Sequence, residues 1–369
     1  MGTARYFTHL LKQAGFSFFS GVPCSFLTKV INEAIADPEL DYIPATNEGE
    51  AVSLAAGAWL AGKQSVVMCQ NSGLGNMINP LTSLNTPFNI PVLLVITHRG
   101  KPGIKDEPQH QLMGKITSDL LALLNIPSVI LPAKNSAMAK VISYAMHCVQ
   151  NEKKTIAILV EKGIFHETSA SKIPPSILLS RASVLKKLIE LAGQQDILIA
   201  TTGKTGRELF TLNDRPNNLY CVGSMGYASA LAQGIALYVP HRTVTIIDGD
   251  GAALMHLGNM TTIGYLHSSN LIHLILNNGT YDSTGGQKTL ANGVDFSQVA
   301  MGIGYSHAQY CTSLNEIADA YHLVQNNVRG PVLLIINIAS GSMGKLGRPT
   351  VTPEQIAVRL KDQIKESFY

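Results

Sequence analysis

The sequence has few charged residues, and this shortage limits what the folded surface can be. Only 14% of the residues are Asp, Glu, Lys or Arg, whereas 46% are hydrophobic. Because little charge is available to cover a free surface, we expect large buried cores, extensive subunit interfaces and hence a homo-oligomer. The formal net charge of +3 is too small to indicate a protein that binds nucleic acid.

Long apolar runs and paired cysteines are also missing from the sequence. No run approaches the roughly 20 apolar residues that a membrane helix needs, and the N-terminus has no basic segment followed by a continuous apolar one. The five cysteines form no CxxC pair, and their odd number argues against a disulfide framework. We therefore expect a soluble, cytoplasmic protein with reduced thiols and no membrane partner.

Apolar strand patterns alternate with helix patterns along the chain, as is typical of parallel α/β sheets. A polar segment with two prolines, residues 166–176, reads as a linker between two such runs. Six residues between Gly49 and Leu60 recur 177 positions later, between Gly226 and Leu237, which indicates two related domains. The predicted strands are residues 16–20, 66–70, 92–97, 156–160, 196–200, 244–248, 271–276 and 332–338.

The segment Gly249-Asp250-Gly251 follows one predicted strand and precedes a helix predicted to begin at Ala252. Glycines let the backbone approach a phosphate closely, and helix N-termini bind anions. The next strand delivers Asn277-Asn278 to the same carboxyl edge of the sheet, where carboxylate and amide oxygens can bind Mg²⁺. We therefore predict a site for Mg²⁺ and a diphosphate. The alternative is an ordinary Asp-Gly turn.

This order of strand, GDG, helix, strand and NN resembles the signature of the thiamine diphosphate-dependent enzymes. The segment from Tyr42 to Trp59, predicted to form a strand, a turn and a helix, is similar to the glutamate motif of that family, with Glu48 in the catalytic position. Helix capping is the alternative role for Glu48. The resemblance implies two doubly wound parallel-sheet α/β domains without a middle domain. It places a pyrimidine-binding domain at residues 1–168 and a diphosphate-binding domain at 177–369, with each active site between two subunits.

The resemblance also implies thiamine diphosphate and Mg²⁺ as cofactors and assigns residues to them. Asp250, Asn278 and the carbonyl of Thr280 would bind the metal, and Glu48 would relay a proton to the cofactor. Met225 would support the bent cofactor, although core packing is an alternative role for it. The other implied cofactor contacts are Gly203, Thr205, Gly223, Ser224, Gly249, Gly251, Ala252, Asn278, Thr280 and Tyr281.

The loop at residues 98–111 is unusually charged for this chain and follows a predicted strand. Its cationic side chains are expected to hold an anionic substrate, since arginine binds carboxylate, phosphonate or sulfonate oxygens in a bidentate manner. His110 is expected to donate a proton or to orient the substrate carboxylate. The alternative is an exposed loop that its charges merely solvate. The predicted substrate contacts are Ser25, Asn71, Arg99, Lys101 and Lys105.

Motif segments over nearly the whole chain narrow the resemblance to the decarboxylases of phosphonopyruvate and sulfopyruvate. They include GVPCSF, RGKPGIKDEPQHQ and LNNGTYDSTGGQ. The resemblance implies decarboxylation of 3-phosphonopyruvate to phosphonoacetaldehyde and CO₂ in phosphonate biosynthesis. Sulfopyruvate decarboxylation and carboligation are the alternatives. The family commonly has other residues at His98, Tyr227, Tyr281 and Lys288, which are expected to lie around the active site.

Two functions of other classes are less compatible with the sequence. A non-catalytic thiamine-binding subunit would not need both Glu48 and the GDG-to-NN pattern. A Rossmann dehydrogenase would need GxGxxG with a downstream acidic residue, and the sequence lacks that combination.

Overall fold

The structure is a computed structural model that describes residues 3–165, 178–326 and 330–366. The chain divides into two compact units, Met1–Ser171 and Lys172–Tyr369. The linker expected at residues 166–176 lies outside the described residues. The domain boundaries at 168 and 177 therefore stay a prediction.

The first unit contains a six-stranded sheet covered by helices. Its strands are β1 (Phe16–Gly21), β2 (Asp41–Pro44), β3 (Gln64–Gln70), β4 (Leu93–Thr97), β5 (Ser128–Ile130) and β6 (Ile156–Val160). They pair in parallel in the order β2-β1-β3-β4-β6-β5. The α-helices of this unit are α1 (Thr3–Gln13), α2 (Thr28–Ala36), α3 (Glu48–Leu60), α4 (Leu74–Pro80), α5 (Gln111–Leu123) and α6 (Asn135–Gln150).

The second unit contains a six-stranded sheet of its own. Its strands are β7 (Ile197–Ala200), β8 (Asn218–Tyr220), β9 (Val244–Gly249), β10 (Leu271–Asn277), β11 (His307–Cys311) and β12 (Val332–Asn337), all paired in parallel in the order β11-β12-β10-β9-β7-β8. The α-helices are α7 (Arg181–Leu191), α8 (Lys204–Leu212), α9 (Ala228–Ala236), α10 (Asp250–Met255), α11 (Asn259–Leu266), α12 (Phe296–Gly302), α13 (Leu314–Asn326) and α14 (Pro353–Glu366).

Apolar side chains cover both faces of each sheet, which explains why the central strands are apolar throughout. In β4, Leu93 and Val95 join one buried cluster, whereas Leu94 and Ile96 join another. Successive side chains of a strand point to opposite faces, so a strand with helices on both sides needs apolar residues at every position. The predicted fold class, two parallel α/β domains, is confirmed by this architecture.

The two units have the same strand order. Numbered within its own unit, each sheet runs 2-1-3-4-6-5. The internal repeat in the sequence therefore corresponds to a shared topology. It also makes β3 and β9 equivalent third strands, one followed by the loop NSGLGN and the other by Asp250.

Three details differ from the sequence-based expectations. The helix after β9 begins at Asp250 instead of Ala252, and the segment before β10 forms two helices because His256 leaves the helical conformation, with φ −133° and ψ 52°. The strands β5, β8 and β11 were not predicted. In the part of the chain that the structure describes, helices are too short or too polar to cross a bilayer.

Candidate active site

Glu48 is the first residue of α3, and its side chain is buried with 5% of its surface exposed. The side-chain amide of Asn76 donates a hydrogen bond of 2.7 Å to its Oε2 atom. Burial raises the pKa of Glu48 above its ordinary value, and the bond from Asn76 opposes this shift. A buried carboxyl of this kind favours the protonated form, which can donate a hydrogen bond.

The cap of α3 is formed by the residues next to Glu48. Asn47 accepts a bond of 2.8 Å from the backbone N–H of Gly49, and Glu50 accepts one of 2.8 Å from that of Thr46. The alternative that Glu48 serves as the helix cap is therefore not needed to explain this helix start.

Arg99 follows β4 and already has a carboxylate partner. Its Nε and Nη2 atoms donate to the two carboxylate oxygens of Asp106 at 2.7 and 2.5 Å, and its Nη1 lies 3.5 Å from the Ser25 hydroxyl. Burial acts to raise the pKa of Asp106, but the bond from Arg99 lowers it below its ordinary value. Arg99 therefore presents the Nη1 edge of its guanidinium to further ligands, next to Ser25.

The two lysines of the basic loop are in different environments. Lys101 forms an ion pair with Glu161. Lys105 is exposed, and within the described ranges no carboxylate pairs with it. The loop is therefore not uniformly solvated, since Arg99 and Lys101 are held by carboxylates and Lys105 extends into solvent.

Asn71 and His110 are buried beside this loop. The Asn71 side-chain amide donates to the Arg99 carbonyl at 2.8 Å and to the Thr117 hydroxyl at 3.0 Å, so it joins the end of β3 to the end of β4. His110 is 6% exposed, and its Nδ1 atom has no protein partner in the described structure. Burial lowers the pKa of His110 to about 4, with Arg99 acting in the same direction and Asp106 against it. His110 is therefore neutral at pH 7.

Asp250 begins α10 and is 2% exposed. Its carboxylate accepts a hydrogen bond from the Thr289 hydroxyl. Burial raises the pKa of Asp250, while the bonds from Thr289 and from backbone N–H groups, including that of Asn278, oppose the shift. Among the described residues no Lys, Arg or His pairs with Asp250. A buried carboxylate without a cationic partner is suited to bind a metal ion.

Asn278 and Thr280 follow β10 and lie beside Asp250. The Asn278 side-chain oxygen accepts a bond of 3.0 Å from the Thr280 backbone N–H, and the Thr280 carbonyl accepts one of 3.1 Å from Asp282. Each of these oxygens keeps a second lone pair. The backbone N–H of Asn278 contacts the Asp250 carboxylate, and the role of the three oxygens toward a metal stays a prediction.

The glycines of the predicted cofactor site allow close approach of neighbouring segments. Gly203 has φ +93° before α8, and a Cβ atom there would lie 2.8 Å from the Ser283 hydroxyl oxygen. A Cβ atom at Gly251 would lie 2.5 Å from the ring of Tyr281. Gly249 has open space around its Cα. Larger residues at 203 or 251 would therefore displace the segment at 281–283.

Met225 lies in a tight turn that packs on α10. It is half-buried between Ser224, which has a φ of +51°, and Gly226, where a Cβ atom would lie 2.9 Å from the Ala252 carbonyl. Other predicted contacts differ in burial, since Thr205 is buried and Gly223 is half-buried. The roles of these residues toward a cofactor stay predictions.

The chain matches known proteins along most of its length. Residues 1–123 match the thiamine pyrophosphate enzyme N-terminal TPP binding domain, and residues 202–336 match the C-terminal TPP binding domain of these enzymes. The phosphonopyruvate decarboxylase of Streptomyces viridochromogenes is 40% identical over 363 residues, covering 94% of this chain and 91% of that protein. The chain belongs to the phosphonopyruvate decarboxylase family of thiamine pyrophosphate enzymes.

Two further relatives place the chain within this decarboxylase family. The phosphonopyruvate decarboxylase of Streptomyces hygroscopicus is 39% identical over 370 residues, covering 96% of this chain and 92% of that protein. The sulfopyruvate decarboxylase of Methanosarcina acetivorans is 27% identical over 384 residues, with 96% of each chain covered. The resemblance to thiamine diphosphate-dependent decarboxylases, inferred from the motifs, is confirmed.

Several residues around this family's motifs were not predicted as site residues. Asn76 contacts Glu48, Asp106 holds Arg99, and Thr289 contacts Asp250. Asn76 lies in α4, at the end of the segment NSGLGN. The position of this segment after the third strand was a signal that could have identified Asn76. Thr289 and Asp106 have no comparable signal, because their contacts depend on how loops fold back.

Proposed function

We propose that this chain converts 3-phosphonopyruvate to phosphonoacetaldehyde and CO₂, as a thiamine diphosphate- and Mg²⁺-dependent step of phosphonate biosynthesis. The observation that supports phosphonopyruvate as the substrate is the similarity to two phosphonopyruvate decarboxylases at 39% and 40% identity. The sulfopyruvate decarboxylase matched over a comparable length has 27% identity. Sulfopyruvate decarboxylation is therefore the second candidate.

The oxygen atoms near Asp250 support the proposal of Mg²⁺. Within the described part of the chain, no group of three or more His, Cys, Asp or Glu residues could hold a metal ion. Mg²⁺ does not need such a group, because it is commonly bound by one or two carboxylates together with phosphate oxygens and waters. Asp250, the Asn278 amide oxygen and the Thr280 carbonyl would hold it, and their hard oxygens fit this cation.

The chemistry divides between the cofactor and the protein. When bound, thiamine diphosphate supplies the nucleophilic carbon that attacks a 2-oxo acid and the electron sink for loss of CO₂. Glu48 would keep a proton on its buried carboxyl and share it with the pyrimidine ring. Neutral His110 would donate a hydrogen bond from one ring nitrogen and orient the substrate carboxylate, because a neutral imidazole is too weak an acid to give up that proton. Both assignments use the direction of the pKa shifts that burial causes.

The substrate anion would bind at the basic loop. Because Asp106 occupies the Nε and Nη2 edge of Arg99, the donors left for a phosphonate oxygen are Nη1 of Arg99 and the Ser25 hydroxyl. Exposed Lys105 would add positive charge at the loop. Lys101 and Asn71 would act mainly by holding the loop in place through their own contacts.

The test is CO₂ release by the purified protein with thiamine diphosphate and Mg²⁺, using phosphonopyruvate, sulfopyruvate and pyruvate in parallel. We expect a strong preference for phosphonopyruvate with formation of phosphonoacetaldehyde. A preference for sulfopyruvate would instead support the second candidate, sulfopyruvate decarboxylation. Cofactor binding without CO₂ release from any of the three would favour carboligation instead.

We further propose a homodimer or higher homo-oligomer whose subunits share active sites. Large apolar side chains are exposed in the second unit, including Tyr238 at 75% and Tyr265 at 82%, and a partner copy would cover them. Glu48→Ala and Asp250→Ala should each be inactive alone. If two copies share each site, hetero-oligomers assembled from both variants recover activity, because one site then has both native groups. No recovery would contradict shared sites.

A further inference from the structure

A buried ionic network lies behind the segment that carries Asn278 and Thr280. Arg181, the first residue of α7, is 6% exposed, and its Nη2 donates to Asp282 at 2.7 Å. Its Nη1 donates to the Gly341 carbonyl at 2.7 Å and lies 3.4 Å from Glu208. The Asp282 side chain is 8% exposed and that of Glu208 is fully buried. One arginine thus pairs with two buried carboxylates, which would be costly to bury without a cationic partner.

Asp282 in turn controls the orientation of the Asn278 side chain. Its Oδ2 atom accepts from the Asn278 amide nitrogen at 2.8 Å and from the Gly341 N–H at 3.0 Å, as well as from Arg181. Its Oδ1 atom lies 3.3 Å from the donating hydroxyl of Thr280. A carboxylate accepts hydrogen bonds and cannot donate them, so it fixes which end of the amide faces it.

A flipped Asn278 amide would put its carbonyl oxygen against the Asp282 carboxylate, and two acceptors repel each other. The carboxylate therefore keeps the amide oxygen on the side away from Asp282. That oxygen is the atom proposed to bind Mg²⁺. Groups that orient metal ligands in this way commonly change metal affinity when they are altered.

We propose that Asp282 and Arg181 are positioning residues for Mg²⁺: Asp282 fixes the direction of the Asn278 oxygen, and Arg181 fixes Asp282. This inference rests on the proposed Mg²⁺ site. It assigns a role to residues that bind neither substrate nor cofactor, and it explains why a buried arginine lies at the start of a helix whose other polar residues face solvent or the helix cap.

The test uses Asp282→Ala, which removes the oxygen that accepts from Asn278, Arg181 and the Gly341 N–H. Calorimetry at saturating thiamine diphosphate, without substrate, would measure the Kd of Mg²⁺ and of Ca²⁺. We expect the Mg²⁺ affinity to fall by about 10- to 100-fold and the Ca²⁺ affinity to fall clearly less. Mg²⁺ demands near-ideal octahedral geometry, whereas Ca²⁺ tolerates varied ligand directions.

Arg181→Lys provides a second variant. It keeps the positive charge but loses the guanidinium, whose two terminal nitrogens bond the Gly341 carbonyl and Asp282. It should shift the ratio of the two Kd values in the same direction by a smaller factor. The matched control is Asp214→Ala, because Asp214 forms an Asp–Arg pair with Arg359 in the same unit and has no contact with the metal segment in the described structure. It should leave both Kd values unchanged.

The outcomes separate the possible failures. Unchanged Mg²⁺ affinity in Asp282→Ala would overturn the positioning role. An equal loss for Mg²⁺ and Ca²⁺ would also overturn it, because general loosening of the fold has no preference between the two cations. If Asp250→Ala also leaves Mg²⁺ affinity unchanged, the proposed metal site itself is wrong. Since no substrate is present, neither result depends on which 2-oxo acid the enzyme uses.

Discussion

Replacing Gly73 by alanine should displace the Glu48 side chain and lower activity, although Glu48 itself is unchanged. A Cβ atom at Gly73 would lie 2.5 Å from Cγ of Glu48, and the carboxyl group is closer still. Carbon atoms pack at about 3.5–4.0 Å, so the glutamate side chain must move by roughly 1 Å. Gly73 has ordinary helical angles, φ −73° and ψ −13°, so the alanine meets no backbone strain.

The displacement would lengthen the bond of 2.7 Å between Asn76 and Glu48 beyond hydrogen-bonding distance. A shift of about 1 Å at a catalytic group can cost about 100-fold in rate. We therefore expect kcat/KM for CO₂ release to fall by about 100-fold in Gly73→Ala, while calorimetry shows thiamine diphosphate binding nearly unchanged. Overpacking of this kind typically destabilises a fold by about 1–3 kcal/mol, which thermal unfolding would measure.

Gly75→Ala is the matched control, since a Cβ atom at Gly75 meets no atom within 4 Å. It lies two residues further along the same segment and should keep native activity. Undiminished kcat/KM in Gly73→Ala would refute the reasoning, because it would show that the position of the Glu48 carboxyl does not matter for turnover.

Three further predictions concern the other proposed groups. Asp250→Ala should abolish Mg²⁺-dependent binding of thiamine diphosphate, and unchanged affinity by calorimetry would rule out the metal site. Arg99→Ala should lower kcat/KM for phosphonopyruvate mainly through KM; if kcat/KM is undiminished, the anion is recognised elsewhere. His110 has a pKa of about 4 in the folded chain against about 6.5 in an unfolded one. The unfolded chain therefore takes up the proton first as pH falls, and stability is lost from about pH 6.5 towards 4. In His110→Gln this loss should be shallower in denaturant titrations at a series of pH values, and equal pH slopes would contradict the buried neutral histidine.

The central strands could be predicted from the sequence, but three edge strands could not. β4, β6 and β10 are buried on both faces, and this burial requires the uninterrupted apolar runs that were recognised. β5, β8 and β11 each lie at an edge of a sheet. β5 and β8 have only three residues each, and β11 has one fully buried residue among its five, so no apolar period marks these strands.

The sequence motifs identified the chemical groups of the candidate site. The residues that contact these groups largely could not be predicted from the sequence. Glu48, Asp250 and Asn278 lie in motifs whose spacing follows from strand ends that meet at one edge of a sheet. The carboxylate of Asp106 lies seven residues from Arg99 in a loop of irregular backbone, and Thr289 returns to Asp250 across 39 positions. Loop conformation decides such contacts, and neither helical nor strand periodicity records it.

The shared strand order has a consequence for redesign of this enzyme. The segment after the third strand contacts Glu48 in one unit and includes Asp250 in the other. Under the proposed function, the same architectural position therefore serves proton transfer in one unit and cation binding in the other. The two sheets have the same strand order, and the two proposed roles depend on the few residues that follow each third strand. New cofactor chemistry could therefore be sought by exchanging these short segments while both six-stranded sheets are kept unchanged.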